Sequence, residues 1–277
     1  MKIGKFKYNG EIFTGIVEGS TVHKIDSISI EDIILKNLIK KISHLKSAEI
    51  SLDKVEYMPL LRPGKIICLG LNYKSHAAEG GWEVPKEPVY FEKSSSCVIA
   101  HRAEIRIPDG IGRVDPEVEL AVIIGKECKN ADTVDAESCI AGYTILNDVT
   151  ARAMQKEDQN KKYPWFRSKS MDTFCPIGPW IVTPDEISWK DELKIELRIN
   201  GEVKQSSKTT NMKFQVPELI MAITRYLTLY PGDIISTGTP EGISPIKNGD
   251  VVECEIEKIG ILSNPVVSND HNFTSQS

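Results

Sequence analysis

The sequence has 277 residues, 40% of them hydrophobic, enough for one large domain or for a large domain with a small one attached. Its 34 Lys and Arg against 39 Asp and Glu give a formal net charge of -5. Neither sign gathers in a long block, which excludes the basic footprint of a nucleic-acid binder or of a protein held on an anionic membrane.

No run approaches the ~20 apolar residues that span a bilayer. The opening MKIGKFKYNGEIF lacks the continuous apolar stretch of a secretory signal, so the expected location is cytoplasmic. Cys68, Cys97, Cys128, Cys139, Cys175 and Cys254 are scattered without a CxxC pair and read as separate thiols, not as disulfides or a thiolate metal cluster. Asn272-Phe273-Thr274 matches a glycosylation pattern by chance, in a polar tail without secretory context.

Residues 1–60 form the expected small N-terminal α+β domain. Apolar alternation over 2–17 predicts a hairpin, and Ile33, Ile34, Leu35, Leu38 and Ile39 predict an apolar helical stripe within 28–42. Pro59 and Pro63 bracket the passage into a main domain over 61–266, and 267–277 reads as a polar tail. In the main domain Ile66-Ile67-Cys68-Leu69 predicts a buried strand. It leads through Gly70-Leu71-Asn72-Tyr73 into a short polar helix over 74–79, with His76 and Glu79 on one face.

Val118, Leu120, Val122 and Ile124 alternate with Glu117, Glu119, Ala121 and Ile123, a strand pattern. A second strand over 141–149 ends near Asn147-Asp148, where Thr150 is placed to cap a helix through Arg152 and Gln155. Asn200-Gly201 signals a two-residue hairpin, because both residues accept left-handed conformations. Pro217 opens a helix whose apolar face is Leu219, Ile220, Ile223 and Leu227. Turns then follow at Gly238, Gly242 and Gly249. Many short strands and few helices predict a mainly β fold with α elements, and periodicity leaves a sandwich, a barrel and a coiled sheet open.

Glu117 and Glu119 point to the same side of their strand, with ~6.6 Å of strand rise between them. With Asp148 from another strand end they would make an oxygen-rich site for Mg2+ or Mn2+. The other reading of the pair is a solvated face on an edge strand. His76 and Glu79 form a candidate imidazole-carboxylate pair for proton transfer; the other reading is two surface residues. Lys169, in RSKSMDTFCPIGPW, is a candidate partner of a substrate carboxylate or enolate oxygen, although most lysines simply keep their charge in solvent. The turn STGTPEG brings Gly238 and Thr239 together, where backbone N-H groups and hydroxyls can surround an anion; a purely structural turn is the alternative.

In this order, GLNYKSHAAEGG, DPEVELAVIIGK, AGYTILNDVTAR, RSKSMDTFCPIGPW, INGEVKQ and STGTPEGI resemble the C-terminal catalytic domain of the fumarylacetoacetate hydrolase family, over about three quarters of the chain. The resemblance implies a mixed coiled β-sheet, or β-roll, generally assembled as a homodimer. It implies that Glu117, Glu119 and Asp148 hold a divalent cation, and that His76 and Glu79 lie on a lid and activate water. Lys169 would stand near the metal and substrate oxygens, and Gln155, Gly238 and Thr239 would contact substrate, with Arg152 also in a family-like position. The compact length resembles acylpyruvase-like and 2-hydroxyhepta-2,4-diene-1,7-dioate isomerase/decarboxylase-like members more than fumarylacetoacetate hydrolase itself. The leading expectation is a metal-dependent hydrolase that cleaves a carbon-carbon bond in small 2,4-dioxo acids such as acylpyruvates, through a metal-stabilised enolate. Isomerisation or decarboxylation of 2-oxo or 2-hydroxydienoic diacids, oxaloacetate included, is the alternative, followed by a silent ligand-binding relative.

Overall fold

The computed structural model describes residues 1–39 and 41–268. The polar end beyond Ser268, with Asn272, lies outside the described residues.

The fold is a mixed β/α architecture with a β-roll catalytic domain and a smaller N-terminal α+β region. A 12-stranded sheet starts with the antiparallel N-terminal strands Lys2–Tyr8, Glu11–Glu18, Thr21–Ile25 and Lys46–Ser51. Lys2 and Ile3 pair with Val182 and Ile181, so this region extends the main sheet. The sheet then runs through Cys175–Val182, Ile140–Asn147, Val118–Ile124, Ile234–Ser236 and Ile66–Gly70 to Val89–Lys93 at its edge. A five-stranded sheet made of Glu202–Lys208, Lys194–Ile199, Val251–Ile256, Gly260–Ser268 and Ile105–Ile107 packs against it. The largest core lies between the two, with Leu120, Val122, Ile195, Leu197 and Cys254 buried in it.

Local chemistry sets the boundaries. The first hairpin turns at Asn9 and Gly10, and the predicted hairpin turns at Asn200 and Gly201, all four with positive φ. The helix expected within 28–42 is only Ile30–Leu35, because Asn37 takes a φ of 50° and ends it; Leu35 is exposed while Ile33 and Ile34 are buried. The helix Val216–Thr224 buries Leu219, Ile220 and Ile223 as expected. It stops before Leu227, which is exposed, and the Thr224 carbonyl accepts from Asn130 N-H. Thr150 does not cap the helix Arg152–Lys161; its hydroxyl donates to the Asp148 carbonyl and its backbone pairs with Asp115. All six cysteines are free and buried. Among the described residues, no helix is long and apolar enough to cross a membrane.

Candidate active site

Pro116 keeps the chain out of the ladder just before Val118–Ile124, and side chains supply the missing backbone partners. Asn147 Oδ1 accepts from Glu117 N-H at 2.9 Å, and Gln205 Oε1 accepts from Val118 N-H at 3.0 Å. Asp148 N-H then donates to the Glu117 carbonyl at 2.8 Å, which brings the end of Ile140–Asn147 beside the start of Val118–Ile124. Glu117, Glu119 and Asp148 converge as a result, one carboxylate oxygen of each lying within 4.8 Å of the others. They are 3%, 1% and 1% exposed, so the solvated-face reading of Glu117 and Glu119 does not hold.

Cations surround two of the three acids. Lys169, buried at the end of the helix Phe166–Lys169, donates to Glu117 Oε2 at 2.8 Å and also to Asp148 Oδ2, with its ammonium 5.1 Å from the Phe91 ring centroid. Two of its three N-H donors are thereby held by carboxylates. Lys93 was not singled out by sequence reasoning. It is fully buried and donates to Asp148 Oδ1 at 2.7 Å and to the Lys169 carbonyl. The available signal was its place at the end of an apolar strand, where a buried lysine requires an acid.

Arg152 donates to Asp115 at 2.8 Å, to Glu117, and to Gln155 Oε1 at 2.6 Å. Arginine can only donate, so this contact fixes the Gln155 amide with its NH2 group directed away from Arg152. Burial pushes the Glu117 carboxyl up, but the charges of Lys169 and Arg152 outweigh it and hold the group well below the usual carboxylate range. Burial likewise works against the charges of Lys169 and Lys93, and the neighbouring carboxylates, Asp148 foremost, outweigh it and push both pKa values up.

Glu119 differs. Among the described residues, only Ser236 Oγ and Gly238 N-H donate to it, both to Oε2, the latter at 2.8 Å. Burial, with the Asp148 charge added, pushes its carboxyl up to about 8. Three buried carboxylates with one lacking a cationic partner fit a divalent cation, and an all-oxygen donor set suits a hard ion such as Mg2+ or Mn2+.

The cluster forms the floor of a cavity of about 460 Å3. The helix Arg152–Lys161 contributes Arg152, Gln155, Lys156 and Gln159 to its wall, and Leu71, Trp82, Val89, Phe91 and Trp165 form an uncharged part. His76, on the helix Lys74–Glu79, reaches the same cavity. Its Nδ1 lies 3.3 Å from Glu79 Oε2, and Gly242 N-H donates to Glu79 Oε1 at 3.1 Å. Ser75 also donates to Glu241, so this helix is docked on the turn that follows Thr239. A larger cleft of about 720 Å3 adjoins the N-terminal region and contains none of these buried carboxylates.

The turn itself is held from below. Thr239 lines the cavity, yet its hydroxyl donates to the Val118 carbonyl at 3.0 Å and accepts from Gln205 Nε2 at 2.9 Å. Gly238 offers its N-H to Glu119, as above. Asn72 clamps the same turn, donating to the Thr237 carbonyl at 2.8 Å and to the Phe214 carbonyl at 3.1 Å. Asn72, Gln205, Ser236 and Asp115 all stood inside the quoted motifs, and only their contacts show their positioning work. Among the residues lining the cavity the carboxylates Glu117, Glu119 and Asp148 face the cations Arg152, Lys156 and Lys169, so the fully ionised lining is neutral.

The model of the fumarylacetoacetate (FAA) hydrolase C-terminal region matches residues 65–267. A mitochondrial oxaloacetate tautomerase of Bos taurus is 45% identical over 216 residues, 76% of this chain and 68% of that protein. The crystal structure of 5-carboxymethyl-2-hydroxymuconate delta-isomerase from Mycobacterium smegmatis superposes with a TM-score of 0.82 at 34% identity, covering 97% of this chain and 99% of that one. Fumarylacetoacetate hydrolase from Exiguobacterium antarcticum superposes with a TM-score of 0.86 at 32% identity, over 97% and 99%. With its buried acidic triad and this fold, the chain belongs to the fumarylacetoacetate hydrolase family, enzymes that act on small dioxo and hydroxy acids, and stands closer to the isomerase- and decarboxylase-like members than to fumarylacetoacetate hydrolase itself.

Proposed function

We propose that this protein is an isomerase that moves a proton between the enol and keto forms of a small 2-oxo acid, with oxaloacetate the first substrate to test. The observation that carries this reading is a buried carboxylate triad sharing one cavity with a single imidazole-carboxylate pair, His76 and Glu79. Tautomerisation needs a group that takes a proton from one atom and allows its return to another. Hydrolysis needs in addition a water held for attack. The name of the bovine relative supports the first, and the hydrolase name of the Exiguobacterium neighbour keeps carbon-carbon cleavage of acylpyruvates as the second reading.

Held by Glu117, Glu119 and Asp148, a Mg2+ or Mn2+ ion would supply Lewis acidity toward the carboxylate and carbonyl oxygens of the acid. The chain's own groups do the rest. Glu79 accepts from Nδ1 of His76, which leaves Nε2 as the basic nitrogen that takes the proton from C3 of the keto form and delivers it to the C2 oxygen of the enol, and reverses both transfers on return. Gly242 holds Glu79 in that role. The NH2 group of Gln155 is available to the substrate carboxylate because Arg152 holds its oxygen. Lys169, paired with Glu117 and Asp148, keeps those acids ionised and adds positive potential beside the enolate oxygen. Gly238 acts through Glu119, and Thr239 shapes the wall. The working assembly is a homodimer, as the family resemblance implies.

The test follows oxaloacetate in deuterium oxide with Mg2+ or Mn2+ present, recording enol absorbance and deuterium at C3, alongside pyruvate release from acetylpyruvate. Catalysed enol-keto exchange without pyruvate release is the expected result. Rapid pyruvate release from acetylpyruvate with no exchange on oxaloacetate would reject it in favour of hydrolysis.

A further inference from the structure

Among the described residues, Lys156 is the one permanent cation of the cavity wall that the acidic cluster does not use. Arg152 is bound to Asp115 and Glu117, and Lys169 to Glu117 and Asp148. Among the described residues, the Lys156 ammonium has neither a carboxylate nor a hydrogen-bond partner, although it lines the cavity. Its neighbour Glu157 is engaged elsewhere, with Lys161 one turn on and with Arg167.

Resting on the 2-oxo acid reading above, we infer that Lys156 is the specificity-determining residue that binds the second carboxylate of a dicarboxylic substrate, so that the enzyme selects 2-oxo diacids over 2-oxo monoacids. Three observations converge on it. Position comes first: from Arg152 to Lys156 is four residues, ~6 Å of helix rise, directed from the acidic floor along the wall. In a four-carbon diacid, three C-C bonds of ~1.5 Å place the carboxyl carbons about 4 Å apart, a span the lysine stem can match. The second observation is the wall opposite in character: Leu71, Trp82, Val89, Phe91 and Trp165 carry no charge, so a second carboxylate has no other free cation.

The third is charge balance. The ionised groups around the cavity sum to zero, so a divalent cation leaves two positive charges. A dicarboxylate cancels both, whereas a monocarboxylate leaves one uncompensated near Lys156. Gln159, which also lines the wall, stands three residues beyond Lys156, close enough on the helix to share the same carboxylate.

The experiment measures binding to the Mg2+-loaded full chain through the fluorescence of Trp82 and Trp165, both of which line the cavity. The probes are malate and lactate, stable 2-hydroxy acids that differ by the second carboxylate. Wild type should prefer malate by about tenfold or more, as a charged hydrogen bond implies. Lys156→Gln should weaken malate about tenfold and leave lactate where it was, Lys156→Glu should weaken malate further, and Lys156→Arg should restore the preference. An unchanged malate-to-lactate ratio in Lys156→Gln, or equal loss of both ligands, would overturn the assignment. Oxaloacetate exchange is measured on wild type in parallel. If it is absent, the isomerase reading falls; if it is present while the ratio ignores Lys156, only the assignment of Lys156 falls.

Discussion

Glu117 and Glu119 stand two residues apart, both buried, in opposite electrostatic surroundings. Glu117 accepts from Lys169 and Arg152, while Glu119, among the described residues, accepts only from Ser236 and Gly238. The consequence is a contrast between isosteric variants of the metal-free protein. Glu117→Gln removes the carboxylate shared by Lys169 and Arg152, leaving each with one acidic partner, Asp148 and Asp115, and should lower stability by about 3 kcal/mol. Glu119→Gln resembles the protonated form already favoured at pH 7 and should change stability by less than about 1 kcal/mol. Urea unfolding at pH 7 decides it, and equal losses would refute the asymmetry. Both variants should lose Mg2+ affinity.

The raised pKa of Glu119, about 8, links metal binding to pH. Its folded value lies above the unfolded one, so its contribution to metal-free stability is full below about pH 4.5 and is lost as pH rises through 8. A cation must displace that proton, so apparent Mg2+ affinity should rise about tenfold per pH unit between pH 6 and 7 and level off above 8. Calorimetry in buffers of different ionisation enthalpy should find close to one proton released per ion at pH 7. No release would mean that Glu119 is not a ligand or is ionised without the cation.

Lys93 is buried against Asp148 at 2.7 Å. Lys93→Met removes one of the two cations on that acid and should cost about 3 kcal/mol of stability. A loss below 1 kcal/mol would show that Lys169 alone compensates Asp148.

The pair His76 and Glu79 predicts a split between chemistry and metal binding. His76→Ala should lower kcat by about 10²- to 10⁴-fold. Glu79→Gln should lower it by about 10- to 100-fold, with Mg2+ affinity unchanged in both. Gly242→Ala should behave like Glu79→Gln. Gly242 has a φ of 100°, and an added Cβ would lie 1.9 Å from the Lys204 carbonyl oxygen, so the loop must move and release Glu79. If kcat in Gly242→Ala equals wild type in a protein with intact stability, the Gly242 amide does not position the pair.

Much of this molecule was legible before any coordinates. Two-residue alternation identified the strand that carries Glu119, the Asn200-Gly201 turn followed from its permissive residues, and the helix Lys74–Glu79 followed from a short polar stretch after an apolar run. These features are local, set by backbone sterics and side-chain period. The order of motifs along the chain carried the family and therefore the sheet. The end of the first helix at Asn37 and the freedom of Thr150 from capping were less legible, because each depends on a competing contact or conformation that the apolar pattern does not encode.

The sequence by itself determined that Glu117 and Glu119 share one side of a strand and that His76 can reach Glu79, since both follow from the geometry of a single element. Only the tertiary structure decided that the glutamates are buried rather than solvated, that Lys93 belongs with Asp148, and that Lys156 alone among the wall cations is left for a ligand. Burial and ion pairing are properties of segments meeting across 21 to 119 residues of chain. A charge buried in that meeting must be paired, protonated or bound to a cation, and which of these applies depends on neighbours that no local pattern names.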